Sequence, residues 1–336
     1  MSLYIMNPKS IINSSNFIKE PVEKVIDTIN RSDKNRIVLT GPRCSGKSIV
    51  LKSHEKEFIN SNNPSIYIFM DPGLESYTKS EFEIKLSCEL HLCSWIISYI
   101  KEYYNDLYEL CFIELSNEVK NKNKLLIRYI NEGLFYDLEF PFKEFTPGVL
   151  LEKIINKMKQ VMKFDTITVC LDRFDWRNVG NSNTFQKAVS FYFDLFDKVI
   201  LTTDDLEVYD DVNNRRNRLK DNGYDVIDVD YGKDIDITKK IISADLKYYA
   251  KNKNQMRVIS DRQFIDLRYL LTEDNYNALI EKCGGNFELL FSTLRKLYAW
   301  DIDDENNINR IFDYFEESFE YRKSVEALCY KRVLHL

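Results

Sequence analysis

The chain has 336 residues, 44% of them hydrophobic and 30% charged, proportions typical of a globular protein with one large domain or two smaller ones. Its 21 tyrosines, 21 phenylalanines and 3 tryptophans exclude a disordered chain, and its 10 glycines and 7 prolines exclude a collagen-like one. The net charge of −6 excludes a polycation that coats nucleic acid along its whole length.

Membrane and disulfide classes are also not expected. No apolar run approaches the roughly 20 residues of a membrane-spanning helix, and the first residues show no secretory signal. The 7 cysteines are scattered without a CxxC pair, and only 3 histidines are present, so neither a disulfide framework nor a zinc site is predicted. We expect a reduced, cytoplasmic protein in which six of the seven cysteines are small buried hydrophobes.

Short β-branched runs alternate with longer helical stretches, which predicts an α/β protein. Each run is continuously apolar, which favours strands of a parallel sheet that is covered on both faces. The predicted strands are 36–40, 65–70, 166–171, 198–202 and 226–229.

Helices are predicted elsewhere. The gap between the second and third strands has the pattern of helices at 79–104, 107–131 and 148–162, with a helical insertion around 100–145. From residue 235 onwards only helical patterns follow. We therefore divide the chain into a core, 1–233, and a C-terminal helical part, 234–336.

The strongest motif follows the first predicted strand. Residues Gly41-Pro42-Arg43-Cys44-Ser45-Gly46-Lys47-Ser48 match the pattern G-x-x-x-x-G-K-[ST], and a helical pattern that starts with Ile49 follows them. The glycines allow backbone N–H groups to face a phosphate, and the start of the helix adds its positive dipole end. In this pattern the lysine reaches the β- and γ-phosphates and the serine hydroxyl binds Mg²⁺. The segment predicts a phosphate-binding loop for a nucleoside triphosphate.

A second acidic group is expected at the end of another strand. Asp172 follows the apolar run TITVCL and would lie at the carboxyl edge of the sheet, where ligands bind in open α/β proteins. A carboxylate there can hold Mg²⁺ through water. Asp175 is the next acid along the chain.

Together these segments resemble the Walker A, Walker B and sensor 1 elements of AAA+ and STAND ATPases, including Orc-like initiators. The matching residues are Gly41–Ser48, Asp172–Asp175 and Leu201-Thr202-Thr203, and Ile280–Leu290 is similar to the lid helix of both groups. The resemblance implies a P-loop sheet of order 5-1-4-3-2, with ATP and Mg²⁺ between the core and a C-terminal lid.

The resemblance also implies roles for individual residues. Phe17 would lie near the adenine, and Thr202 or Thr203 would sense the γ-phosphate or orient water, although a plain β-branched strand end has the same pattern. Arg215, Arg216 and Arg218 are candidates for an arginine finger that acts on a neighbouring subunit, or for a solvated polar loop.

Three departures from the family pattern bear on hydrolysis. Arg173 stands where many such ATPases have a glutamate that polarises water, so either hydrolysis is slow or Asp175 is the base. Glu288 stands where AAA+ proteins carry a sensor arginine, with Arg295 a poor substitute, and Phe287 replaces the proline of STAND proteins.

Three functions remain open at this stage. The first is a slowly hydrolysing ATP switch that assembles with itself or with a separate effector protein, by analogy in a mobile-element or anti-phage system. The second is a DNA-associated AAA+ helper of transposition or replication, which would use the basic stretch Lys239–Arg268, although the pattern of that stretch favours a solvated helix face. The third is a nucleotide-binding module without turnover. The absence of an Asn/Thr-Lys-x-Asp motif favours ATP over GTP.

Overall fold

The computed structural model of the chain describes residues 18–42, 45–70, 80–132, 142–172, 188–203 and 212–241, together with seven separate positions between 277 and 290. The described residues form an α/β fold built on one sheet of five parallel strands. The strands are β1 (Arg36–Thr40), β2 (Ser65–Phe69), β3 (Thr168–Asp172), β4 (Lys198–Thr202) and β5 (Asp225–Asp228).

The strand order is β2-β3-β4-β1-β5. Read from the β5 edge, the same order is 5-1-4-3-2, the arrangement that the resemblance implies. Strand β1 therefore lies inside the sheet, between β4 and β5. Strand β3 lies between β2 and β4, with Phe69 opposite Asp172 at the end of the ladder.

Helices cover both faces of the sheet. The described helices are α1 (Glu20–Arg31), α2 (Lys47–Phe58), α3 (Glu81–Tyr103), α4 (Asn105–Cys111), α5 (Ile113–Asn131), α6 (Val149–Met162) and α7 (Val212–Asp221). Helices α1 and α2 pack on one face against the side chains of Ile37, Leu39 and Ile200. Helices α3 and α6 belong to the core on the other face with Val38 and Leu201. Alternate residues of each strand thus enter different cores, which explains the continuous apolar runs.

Element bounds agree with the sequence prediction to within two residues, and β1 and β4 match it at both ends. The predicted helix 107–131 is two helices, α4 and α5, because the chain breaks at Phe112, a fully buried residue. The predicted polar loop that holds Arg215, Arg216 and Arg218 is a helix, α7. Few apolar residues mark it, so the hydrophobic pattern missed it. Strand β3 extends to Asp172, which pairs within the ladder.

Aromatic side chains at the start of the helical insertion form a packed face. Tyr99, Tyr108 and Phe112 are buried in the core, and Tyr103 and Tyr104 are half-buried against it. Of the described cysteines, 88, 93, 170 and 283 are buried and Cys111 is half-buried. No helix within the described ranges is both long and apolar enough to cross a bilayer.

A buried carboxylate caps helix α6. Glu89 of α3 is fully buried, and its oxygens accept hydrogen bonds from the backbone N–H groups of Gly148, Leu150 and Leu151 at 2.6–3.1 Å. The hydroxyl of Tyr192 donates a further bond at 3.2 Å. Burial raises the pKa of Glu89, against the effect of these donors. The start of a helix carries unsatisfied N–H groups and a positive dipole end, so this carboxylate joins α3 to α6.

A second buried polar chain joins α1, α2 and the sheet. The imidazole Nδ1 of His54 lies 2.8 Å from Ser65 Oγ, and its Nε2 lies 3.3 Å from Asn30 Oδ1. The amide oxygen can only accept, so Nε2 carries the proton and Nδ1 accepts from Ser65. Ser65 Oγ also lies 3.2 Å from Cys170 Sγ. Burial, with a contribution from the charge of Lys198, lowers the pKa of His54 to about 4.

Replacing Glu89 by alanine is expected to lower the free energy of unfolding by about 3–5 kcal/mol, because several buried N–H donors lose a charged acceptor. Glu152 is the matched control, since it lies exposed in the first turn of the same helix. Glu152→Ala is expected to lower stability by less than about 1 kcal/mol. Urea unfolding followed by circular dichroism measures both, and equal losses would contradict the capping role.

The lowered pKa of His54 makes stability depend on pH. Unfolding restores the ordinary pKa of 6.5, so the unfolded state binds more protons between pH 6.5 and about 4. Stability therefore falls as the pH is lowered across this window, by about 3 kcal/mol in total. In His54→Gln this contribution is absent, whereas Asn30→Ala retains it because the buried imidazole remains. Chemical unfolding at several pH values measures the slope, and an unchanged slope in His54→Gln would refute the assignment.

Candidate functional site

All five strands run in the same direction, so their carboxyl ends lie along one edge of the sheet. The segment from Gly41 to Lys47 leaves the end of β1 and enters α2, and Asp172 and Thr202 are the last residues of β3 and β4. Helix α2 packs against β2, β3 and β4. The candidate residues from three separate parts of the sequence are thus gathered at one edge of one sheet, the position where α/β proteins bind ligands.

Glycine is required at both ends of the described loop. Gly41 has a φ of +152°, and a Cβ there would clash with the carbonyl oxygen of Val229, the residue after β5. Gly46 has a φ of +99° and is the N-cap of α2. Among the described residues no side chain caps this helix. The loop therefore holds a backbone path that side chains would block, and it ends at the N-terminus of a twelve-residue helix.

Lys47 folds back over the loop. Its Nζ donates hydrogen bonds of 2.8 Å to the carbonyl oxygens of Gly41 and Pro42, and its side chain is buried. The neighbouring Ser45 is fully buried, and its Oγ has no hydrogen-bond partner within the described part of the chain. Ser48 and Ile49 are half-buried. A buried ammonium and a buried, unsatisfied hydroxyl in one loop are groups that an anion would satisfy.

Tyr231 and Phe287 lie on the other side of Gly46. A Cβ at Gly46 would overlap the hydroxyl of Tyr231 and come within 2.9 Å of its ring carbon Cζ. The rings of Tyr231 and Phe287 have centroids 6.2 Å apart. Burial raises the pKa of the Tyr231 hydroxyl, which stays protonated. Phe287 belongs to the segment that resembles a lid helix, so a residue from beyond 241 packs beside the tyrosine that adjoins Gly46.

Asp172 is buried and held from both sides. Its side chain is 3% exposed. The Tyr67 hydroxyl of β2 donates to Oδ2 at 2.6 Å, and the Thr202 hydroxyl of β4 donates to Oδ1 at 3.1 Å. A buried carboxylate requires such donors, and bonds to a charged acceptor are the strong ones. Thr203, the other candidate sensor, is buried, and its N–H donates to Leu39 in β1.

Of the three candidate arginine fingers, the structure describes the side chain of Arg216. Arg216 forms a two-pronged ion pair with Asp228 at the end of β5, with one N–O distance of 3.0 Å. This places its guanidinium on a carboxylate of the same chain. The side chains of Arg215 and Arg218 lie outside the described residues.

Several other predicted residues also lie outside the described part: Phe17, Arg43, Cys44, Arg173, Asp175, Glu288 and Arg295. The basic stretch Lys239–Arg268 is described only as far as 241, where Lys240 lies 3.8 Å from Glu20. Within the described residues, no group of three or more His, Cys, Asp or Glu side chains is placed to hold a metal ion.

Sequence reasoning missed two residues of this site, Tyr67 and Tyr231. Tyr67 is the middle residue of an apolar strand, where an aromatic ring is an ordinary core residue. Tyr231 follows β5 with no motif around it. Only the pairing of β2 with β3 and of β5 with β1 brings these hydroxyls to Asp172 and Gly46.

A scan against models of known protein families gives no match, and a search of curated proteins finds no relative. A function for this chain is therefore inferred from the fold and from the arrangement of the candidate site.

Gly46→Ala is expected to lower the free energy of unfolding by about 2–4 kcal/mol, through backbone strain and the clash with Tyr231. Gly223 is the matched control, because its φ is +83° but a Cβ there would meet nothing within 4 Å. Gly223→Ala is expected to lose only about 1 kcal/mol. In a Tyr231→Ala background, Gly46→Ala should lower the free energy of unfolding by nearly the same amount as Gly223→Ala. A double-mutant cycle by urea unfolding measures the coupling between Gly46 and Tyr231. Additive losses would show that Tyr231 does not contact Gly46 in solution.

Proposed function

We propose that this chain is a P-loop ATP-binding protein of the AAA+ or STAND type that acts as a slowly hydrolysing switch. ATP would bind at the carboxyl edge of the sheet, between the core and the helical part at 234–336. The bound state would change how the chain assembles with itself or with a separate effector protein, as in mobile-element or anti-phage systems. Hydrolysis would reset the switch.

One observation carries the proposal. A strand, a loop bounded by Gly41 and Gly46, and a helix that begins at Lys47 follow one another at an inner strand of a parallel sheet. The match to G-x-x-x-x-G-K-[ST] is a weaker argument alone, because short motifs occur by chance. In this structural context the motif stands where its chemistry requires it. The buried, unsatisfied hydroxyl of Ser45 supports an anion in the same loop.

The side chains present also fit Mg²⁺. The hydroxyl of Ser48 and the carboxylate of Asp172 are the hard oxygen ligands that Mg²⁺ prefers, and nucleotide sites add phosphate and water oxygens to one or two protein ligands. Such a site needs no cluster of three acids, so the lack of one among the described residues is compatible with it. Bound Mg²⁺ would neutralise charge on the β- and γ-phosphates.

Lys47 and Thr202 would act on the phosphates and on the Mg²⁺ ligand. Lys47 would exchange its bonds to the loop carbonyls for bonds to phosphate oxygens, which are stronger acceptors because they are charged. Thr202 would keep the Asp172 carboxylate oriented. With Arg173 in place of a glutamate, we propose that turnover is slow.

Lys47→Ala is expected to weaken ATP binding by roughly 100-fold or more, because a charged hydrogen-bond donor to phosphate is lost. Isothermal titration with a non-hydrolysable ATP analogue and Mg²⁺ measures the affinity. Lys56→Ala is the control, since Lys56 is exposed on the same helix and should leave the affinity unchanged. Equal affinity in wild type and Lys47→Ala would refute the proposed site.

Turnover per protomer, measured against protein concentration, separates the alternatives. A rate that rises with concentration supports sites completed between subunits of an assembling switch. Tight binding without turnover at any concentration supports a nucleotide-binding module instead. Salt-sensitive stimulation by DNA would favour the DNA-associated helper.

A further inference from the structure

Tyr67 connects Asp172 to the helix that follows the phosphate loop. Its hydroxyl donates to Asp172 Oδ2 at 2.6 Å, while its own backbone N–H donates to Glu55 Oε1 at 2.9 Å. Glu55 lies on α2, about two turns after Lys47, and is 2% exposed. One residue of β2 therefore contacts both the candidate Mg²⁺ ligand on β3 and the helix that carries the other candidate ligand, Ser48.

The aromatic ring of Tyr67 is also held by neighbouring side chains, in addition to the hydrogen bonds of its backbone N–H and its hydroxyl. The Nζ of Lys52 lies 4.8 Å from the ring centroid, and Lys52 is also ion-paired with Glu55. The ring of Trp95, from α3, meets Tyr67 edge-on with centroids 6.1 Å apart. A cation over one face and an aromatic edge beside the ring hold it in one orientation. The hydroxyl is thereby aimed at Asp172 by groups on two different helices.

The carboxylate needs this orientation. Asp172 has two donors from opposite neighbouring strands, Tyr67 on one side and Thr202 on the other. Without the Tyr67 bond, the carboxyl group loses its donor on the β2 side, and the direction of Oδ2 is determined less strictly. Hydrogen bonds from such outer partners commonly change metal affinity by about 10–100-fold, because they set the angle at which a ligand oxygen meets the metal.

We propose that Tyr67 is a positioning residue for Mg²⁺ binding, which holds the Asp172 carboxylate in its ligating orientation and couples it to helix α2. This inference rests on the proposed function. It differs from the family resemblance, which assigns no role to this position of β2. The Tyr67 hydroxyl itself does not reach the nucleotide in this scheme; it acts through Asp172.

The test is the Mg²⁺ dependence of nucleotide binding in Tyr67→Phe. A fluorescent, non-hydrolysable ATP analogue is titrated at a series of Mg²⁺ concentrations and again in EDTA. We expect the apparent dissociation constant for Mg²⁺ to rise by about 10-fold or more, with the affinity measured in EDTA unchanged. If the substitution only destabilised the protein, nucleotide affinity would fall both with Mg²⁺ and in EDTA. A change in the Mg²⁺ constant alone therefore distinguishes a positioning role from a structural one.

Tyr192→Phe is a matched control. Tyr192 is fully buried in the core on the opposite face of the sheet, and its hydroxyl donates to the carbonyl oxygen of Lys85 at 2.8 Å and to the buried carboxylate of Glu89 at 3.2 Å. This variant removes the same atom and the same kind of bond, and it should leave the Mg²⁺ constant unchanged.

Lys52→Gln is a second variant in the case that Tyr67→Phe does not fold. It removes the cation over the Tyr67 ring and should raise the Mg²⁺ constant in the same direction but less.

Two results would overturn the positioning role. An unchanged Mg²⁺ constant in a folded Tyr67→Phe protein means that the carboxylate is oriented without Tyr67. A lower constant means that Tyr67 competes with Mg²⁺ for Asp172. Failure of the proposed function looks different, because wild type and Lys47→Ala would then bind the analogue equally, or neither would bind it.

Discussion

The common direction of the five strands is the constraint on which the rest of the structure depends. Parallel strands place all their carboxyl ends at one edge, and each return to the opposite edge requires a crossover, here made largely by helices. Helices on both faces bury the sheet, so polar groups at the carboxyl edge are partly withdrawn from water. The segment Gly41–Lys47 and the carboxylate of Asp172 therefore lie at the same edge of the sheet, although they are far apart along the chain.

Burial also explains why the carboxylates of Glu89 and Asp172 occur in hydrogen-bonded networks. Glu89 accepts three backbone N–H groups and a tyrosine hydroxyl on one side of the sheet, and Asp172 accepts two hydroxyls at its carboxyl edge. Each carboxylate joins elements that the apolar core alone would leave free to slide, since hydrogen bonds are directional and apolar contacts are not. The first network is structural, as it caps a helix. The second lies at the carboxyl edge of the sheet, where Gly41 follows β1.

The contacts around Gly46 and Asp172 suggest how a bound nucleotide would be sensed. Tyr231 and Phe287 link the loop to the segment beyond residue 241, and Tyr67 links Asp172 to helix α2. A ligand that moved the loop or the carboxylate would have to move these rings as well. Such a mechanical connection is what a nucleotide-dependent switch requires.

The sequence by itself determined the strands, their parallel character and the glycine-bounded segment Gly41–Lys47 that follows β1. Continuous apolar runs between helical stretches are typical of parallel strands that are covered on both faces, and the constraints on Gly41 and Gly46 are local to the backbone. It did not determine helix α7, whose ten residues carry too little apolar pattern to be recognised, and the break at Phe112 was not apparent from it. The roles of Tyr67, Tyr231 and Glu89 were decided only by the tertiary structure. Each of these residues acts through a partner distant in the chain, and which partner it meets depends on strand order and helix packing rather than on any neighbouring residue.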